Sequence, residues 1–274
     1  MRAVLALLRR EVVHYFTTPI AYVVLVIFAI LGGWFYCMGY LMPFADYCER
    51  YPVILMQMEQ NPMMAMNKPP TPNFSELVVP SLFGTLSIVL IFLVPLLTMR
   101  SIAEEKREGT IELLYTYPIG DFQVVLAKYL AAVVVFGFIV LQVVIYLLVP
   151  DILSEQGGIV EWKPAFSALM GFFLMGCASI ALGFIFSALT ENQIVSAALT
   201  FALLLFLWVV GWAVQSDQIE GWVKAIAERV SLTNRSEDLY KGLINLSDIV
   251  FFACVTVGSL FVTMRALESH RWRG

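Results

Sequence analysis

Long apolar stretches alternate with shorter polar ones along the chain, and six of the apolar stretches are long enough to cross a lipid bilayer. A membrane-spanning helix needs about 20 consecutive, mainly apolar residues. None of the six stretches carries an ionisable side chain near its middle, where Gln142 is the one strongly polar residue. The pattern predicts transmembrane helices over residues 20–42, 78–98, 125–149, 164–188, 193–214 and 246–267.

The composition of the chain also indicates an integral membrane protein. Of the 274 residues, 60% are hydrophobic and only 14% are charged, whereas soluble domains average about 45–50% and about 25%. We therefore predict an all-α integral membrane protein, with no nucleic acid among its partners. An even number of spans places both termini on one side, and the majority of the Lys and Arg residues lie on that side. This bias predicts cytoplasmic termini.

The longest stretch dense in charge is residues 100–118, between the second and third spans. Ser101 and Glu104 have the spacing of a capping box, which begins a helix. Gly109 can end that helix in the left-handed conformation, and Thr110 can cap a second one. The pattern predicts a helix–glycine–helix elbow at the membrane surface. It serves either as a solvated connector or as a docking element for a soluble subunit.

The energy source of any transport is expected to lie outside this chain. Proton- and ion-coupled transporters keep ionisable groups within the membrane, and the predicted spans lack them. The phosphate-binding pattern GxxxxGK[ST] is also absent from the sequence. We therefore expect ATP hydrolysis in a separate subunit, and no enzymatic activity in this one. An intramembrane metalloprotease is excluded because His14 and His270, the two histidines, lie near the ends of the chain.

The first 19 residues predict an amphipathic helix that lies at the membrane interface and ends before Pro19. Its apolar arc and its opposite, polar side are expected to be Val4, Leu5, Leu8, Val12, Tyr15 and Phe16 against Arg2, Arg9, Arg10 and His14.

Two long segments are predicted on the outer side, residues 43–77 and residues 215–245. The first is rich in methionines, whose thioethers are candidate ligands for cuprous ion or adaptable apolar contacts. These methionines are Met56, Met58, Met63, Met64 and Met66. The second segment has apolar residues at helical spacing, which predicts an amphipathic helix at the outer interface.

Small residues repeat every four positions on the fourth predicted span, at Ser179, Gly183 and Ser187. Such a face allows the backbones of two helices to approach closely. The pattern leaves open whether the partner helix belongs to the same chain or to a second protomer.

The run LLTMRSIAEEKREGTIELLYTYPIGDFQVVLAKYLA, residues 96–131, resembles the signature region of permease subunits of type-2 ABC exporters. The tail LYKGLINLSDIVFF…VTMRALESHRWRG, residues 239–274, is more narrowly similar to the gliding-motility-type permeases of that family. With the six matching spans, the resemblance covers essentially the whole chain as one permease domain, residues 20–274. It implies a homo- or heterodimer in the bacterial inner membrane.

The resemblance also implies how the subunits meet. Residues 99–124 would form a coupling loop on a separate ATP-binding subunit that holds ATP and Mg²⁺, with the N-terminal helix beside it. Residues 215–245 would form short re-entrant helices, and a large membrane-anchored extracytoplasmic subunit is a further candidate partner. The implied docking residues are Glu104, Glu105, Arg107, Gly109, Thr110, Ile111, Glu112 and Leu113.

The predicted function is the permease subunit of an ATP-driven exporter of an amphiphilic or lipid-linked cargo. Two alternatives remain open from the sequence: a non-transporting membrane anchor or scaffold of a gliding- or secretion-type complex, and a copper-related permease. Association with an ATPase that depends on the elbow separates the exporter from the scaffold.

Overall fold

The structure, a computed structural model, describes residues 2–60, 69–110, 120–154, 158–215, 221 and 231–271. These residues form helices and no strands. The helices are α1 (Arg2–Thr17), α2 (Ile20–Trp34), α3 (Met42–Gln60), α4 (Phe74–Leu77), α5 (Val79–Thr98), α6 (Ala103–Arg107), α7 (Asp121–Leu153), α8 (Trp162–Leu189), α9 (Gln193–Gln215), α10 (Leu232–Tyr240) and α11 (Leu246–Arg271).

Six helical stretches of the described residues are long and apolar enough to cross a membrane, which confirms the number of predicted spans. They are Ile20–Met58, Phe74–Arg107, Asp121–Leu153, Trp162–Leu189, Gln193–Trp212 and Leu246–Ser269. The chain is thus a multi-pass, all-α membrane protein. We call the end of the bundle that holds residues 99–110 and 120–124 the elbow end, and the opposite end the far end.

The first span is longer than its apolar run. Helix α2 continues through a π-helical segment, Phe35–Leu41, directly into α3. Helix therefore fills residues 43–60 of the predicted outer segment, although the charged residues Asp46, Glu49, Arg50 and Glu59 lie there. The apolar run is shorter than the helix because hydropathy reports the surroundings of a helix and not its length.

The second and fourth spans form the centre of the bundle. In the most apolar part of each span, 61% of the second-span residues and 56% of the fourth-span residues are buried, against 22–33% in the other four. A Cβ added at Gly183 of α8 would lie 2.4 Å from the Thr98 hydroxyl oxygen of α5. The small-residue face of the fourth span therefore meets the second span of the same chain.

Helix α1 packs along the elbow end of the third span, where Leu7 forms an apolar cluster with Val124 and Ala127 of α7. Its buried side differs from the predicted arc, because Leu5 is 64% exposed whereas Leu7 and Glu11 are buried. A helical wheel ranks positions by polarity alone, so it does not distinguish a side that meets protein from a side that meets the membrane interface. One side of α1 therefore packs against protein, and this side includes the carboxylate of Glu11. The side that bears Leu5 faces away from the protein.

Helix α10 folds back into the bundle from the far end. Its last residue, Tyr240, is buried, and its hydroxyl lies 2.8 Å from the hydroxyl oxygen of Ser87 in the second span. Ser87 is eight residues into α5, roughly 12 Å below the start of that helix at 1.5 Å per residue. On α8, a Cβ added at Gly171 would lie 2.7 Å from the Leu239 Cβ, so α10 lies directly against the backbone of the fourth span.

Candidate docking site at the elbow

The elbow begins with the short helix α6, directly after the second span. Its backbone closes at Glu108, whose N–H donates to the Glu104 carbonyl. Gly109 follows with a φ of +69°, the left-handed conformation predicted for it. Thr110 is exposed, and its hydroxyl donates to the Glu105 carbonyl at 3.4 Å. The predicted contact residues Ile111, Glu112 and Leu113 lie outside the described residues.

The predicted capping box is wrong, because neither Ser101 nor Glu104 caps α6. The hydroxyl of Ser187, at the end of the fourth span, takes that role. It accepts hydrogen bonds from the backbone N–H groups of Ile102 at 3.1 Å and Ala103 at 3.2 Å. Tertiary contact thus replaces the local cap, since the first N–H groups of any helix need an acceptor and this helix begins in a buried place.

Ser101 is instead part of a contact with α1. Its hydroxyl lies 2.9 Å from the hydroxyl of Tyr15, which donates to the Leu97 carbonyl at 3.2 Å. Burial raises the pKa of Tyr15 well above its usual range, so the phenol remains a hydrogen-bond donor. The N-terminal helix is therefore tied to the last turn of the second span.

A buried ion triad joins three elements around the elbow. The ammonium of Lys128, on α7, lies 3.1 Å from a carboxylate oxygen of Glu11 on α1 and 2.7 Å from one of Glu105 on α6. The side chains of Lys128, Glu11 and Glu105 are only 5%, 9% and 19% exposed. Each group satisfies a charge that would be costly to bury alone. The triad therefore holds the elbow, the N-terminal helix and the third span together.

A cavity of about 220 Å³ opens between α1, the elbow and the triad. Its lining includes the cations Arg10 and Arg100 and the carboxylates of Glu104 and Glu108. Within the part of the chain that the structure describes, none of these four has an ion-pair partner within 4.0 Å. The Nε of Arg100 is also buried without a hydrogen-bond acceptor. These charges can pair with groups of a second molecule.

The residues predicted to contact the ATP-binding subunit fall into two groups. Arg107, Gly109 and Thr110 are exposed at the elbow, and Glu104 lines the cavity. Glu105 instead points inward to Lys128. Beside them, Arg9 and Arg10 of α1 are exposed.

Sequence reasoning missed both Lys128 as the centre of the site and Ser187 as the cap. The one signal for Lys128 was a cation one turn inside the apolar run of the third span. Long cations also reach from such positions to lipid headgroups, so this signal alone does not indicate an ion triad.

At the far end, Asp248 in the first turn of α11 is 3% exposed and pairs with Arg235 of α10 at 2.8 Å. The Arg235 guanidinium also lies over the ring of Phe251, 5.5 Å from its centre. This pair fastens α10 to the start of the sixth span.

The candidate copper site is only partly described. Met56 is 63% exposed and Met58 is half-buried, whereas Met63, Met64 and Met66 lie outside the described residues. The described residues also contain no group of three or more His, Cys, Asp or Glu side chains that could hold a metal ion.

Comparison with known proteins places this architecture in a family. The profile of the ABC-2 family transporter proteins matches residues 50–265, from α3 to α11. No curated protein matches the chain. The family match, which covers most of the chain, and the six spans lead to one conclusion: the chain belongs to the ABC-2 transporter family and is a membrane permease subunit of an ABC transporter.

Proposed function

We propose that this permease belongs to an ATP-driven exporter and that its elbow, together with α1, is the docking site of a separate ATP-binding subunit. The observation that carries the proposal is the cavity with unpaired charges, framed by the buried ion triad. A solvated connector needs neither feature, because surface charges can remain in water without a fixed framework.

The geometry of the elbow suits the transmission of force. Helix α6 has five residues, too few to be stable as an isolated helix. It is held by Glu105 through Lys128 and by Ser187 at its start. A subunit that binds such an element acts on the spans behind it, because the element cannot move alone.

From docking at the elbow we infer the orientation of the permease in the membrane and its partner subunits. The elbow end and both termini face the cytoplasm of a bacterial inner membrane, where ATP and Mg²⁺ bind the partner subunit. A second permease protomer completes the transporter. The cargo is amphiphilic or lipid-linked, since the spans are apolar along their middle sections.

Charge reversal at the elbow tests the proposal. The variant E104K/R107E inverts one cavity charge and one exposed charge, and neither residue forms an ion pair among the described residues. We expect affinity for the co-expressed ATP-binding subunit to fall about tenfold or more, or about 1.4 kcal/mol. Co-purification and the rate of ATP hydrolysis are the measurements.

The matched control is K163E, at an exposed lysine on the far end of the fourth span. It should bind the ATP-binding subunit as the wild type does. Full association and unchanged hydrolysis in E104K/R107E would overturn the docking site.

A further inference from the structure

The fourth span is remote from the elbow in sequence, but it exchanges hydrogen bonds with α6 in both directions. We propose that Ser187 and Lys106 are positioning residues that lock α6 to the fourth span, so that this span carries the motion of the elbow to α10 at the far end. The inference rests on the proposed function, because it assumes that the ATP-binding subunit acts at the elbow.

The first part of the lock is at the start of α6. Ser187 accepts both N–H groups that begin the helix, as described above, and its own hydroxyl lies 3.5 Å from the Met99 carbonyl. Ser187 and Ala103 are fully buried, and Ile102 is 1% exposed. Water therefore cannot replace the serine hydroxyl as the acceptor.

The second part of the lock runs in the opposite direction. The ammonium of Lys106, on α6, donates to the backbone carbonyl of Ala188 in the last turn of α8. Carbonyls in the last turn of a helix have no partner within that helix. Each helix therefore caps the other: the fourth span satisfies the start of α6, and α6 satisfies the end of the fourth span.

The same contact continues one turn further into the bundle. Gly183 brings the backbone of α8 against Thr98, the last residue of α5, with no space for a Cβ. Thr98 is fully buried, and its hydroxyl bonds to the Val94 carbonyl of its own helix. The end of the second span, α6 and the end of the fourth span are thus joined through Ser187, Lys106 and the contact of Thr98 with the Gly183 backbone.

The connection of α6 to the third span and α1 is of a different kind. It runs through the long side chains of Glu105, Lys128 and Glu11, and it borders the 220 Å³ cavity. Long side chains can change rotamer while they keep an ion pair, whereas the short, buried Ser187 side chain must lose its bonds to Ile102 and Ala103 if α6 moves away from the fourth span. Motion is therefore expected across the cavity and not between α6 and the fourth span.

At its other end the fourth span bears α10. The hydroxyl of Ser167 donates to the Leu239 carbonyl at 2.9 Å, and Gly171 lies against the Leu239 side chain. The turn after α10 also contacts this span, since a Cβ at Gly242 would lie 2.9 Å from the Pro164 Cβ. One helix thus connects the proposed docking site to the re-entrant helix at the far end.

The test measures motion at the far end in response to nucleotide at the elbow end. Spin labels are placed at L243C, after α10, and at I152C, at the end of the third span, where both side chains are exposed. The four native cysteines are replaced, and the permease is purified with its ATP-binding subunit. Electron–electron resonance then gives the distance between the labels with and without ATP.

Four variants are compared with the wild type. We expect the distance in the wild type to change with ATP, and S187A to lose more than half of that change while the ATP-binding subunit stays bound. S179A is the matched control, because this buried hydroxyl on the same face donates to Met175 of its own helix. K106M should act as S187A does, and K106R should restore the change. K106M also keeps the test decisive if S187A does not fold.

A full ATP-dependent change in both S187A and K106M would overturn the lock. An unchanged distance in the wild type with the ATP-binding subunit bound would overturn transmission to α10, but not docking. Failure of that subunit to bind the wild type would overturn the proposed function, and the inference with it.

Discussion

Replacement of Lys128 by methionine is the sharpest perturbation of the elbow. Methionine keeps most of the length and the apolar stem of lysine but removes the ammonium that Glu11 and Glu105 share. Both carboxylates lie within 3.1 Å of that nitrogen, so K128M leaves two like charges close together. Glu11 is only 9% exposed, so water compensates it poorly.

The size of the effect follows from burial. Removal of one partner from a buried ion pair costs about 3–5 kcal/mol. Because Glu105 is 19% exposed, we expect about 3 kcal/mol, the lower end of that range. At about 2–4 °C per kcal/mol for a large domain, the melting temperature should fall by roughly 6–12 °C.

The assay is thermal unfolding of the detergent-solubilised permease, followed by intrinsic fluorescence. The triple variant E11Q/E105Q/K128M removes all three charges and should recover most of the loss, because a buried pair as a whole adds little net stability. K163M, at an exposed lysine of the far end, is the control. A melting temperature of K128M equal to that of K163M would refute the reasoning, as would a triple variant no more stable than K128M.

Two further predictions concern the packing of the spans and the far end. G183A should destabilise the protein by about 1–3 kcal/mol, because its Cβ would overlap Thr98. The control G84A should not destabilise it, because no atom lies within 4 Å of the added Cβ. Equal melting temperatures of the two variants would contradict the close contact at Gly183. R235M should cost more than D248N, since it leaves a carboxylate that is 3% exposed without its cation, whereas D248N leaves a guanidinium that is 30% exposed. The reverse order in thermal unfolding would contradict the burial of Asp248.

The number of spans and the glycine that follows α6 could be predicted from the sequence because each depends on a local pattern. The thickness of the bilayer fixes the length of an apolar run, and Gly109 marks a helix end by its backbone freedom. The cap of α6 could not be predicted, because Ser187 is 85 residues away from Ile102. A local capping box was the only candidate that the sequence offered, and it was wrong.

The role of Lys128 was hidden for a similar reason. Its position one turn inside the third span suits a lipid headgroup as well as a buried carboxylate, and only the packing of α1 against α7 distinguishes them. The side of α1 that packs against α7 was not indicated on the same ground, since polarity alone does not separate lipid from protein. Chemistry that depends on contacts between distant segments therefore required the structure.

Site-specific photo-crosslinking in intact cells shows whether the elbow docks an ATP-binding subunit. A photoreactive amino acid is placed at Arg107 in the elbow or at Leu153 at the far end, both exposed positions. We expect a crosslink between the permease and an ATP-binding subunit from position 107 and none from position 153. A crosslink to that subunit from position 153 would contradict docking at the elbow, and so would the absence of a crosslink from both positions.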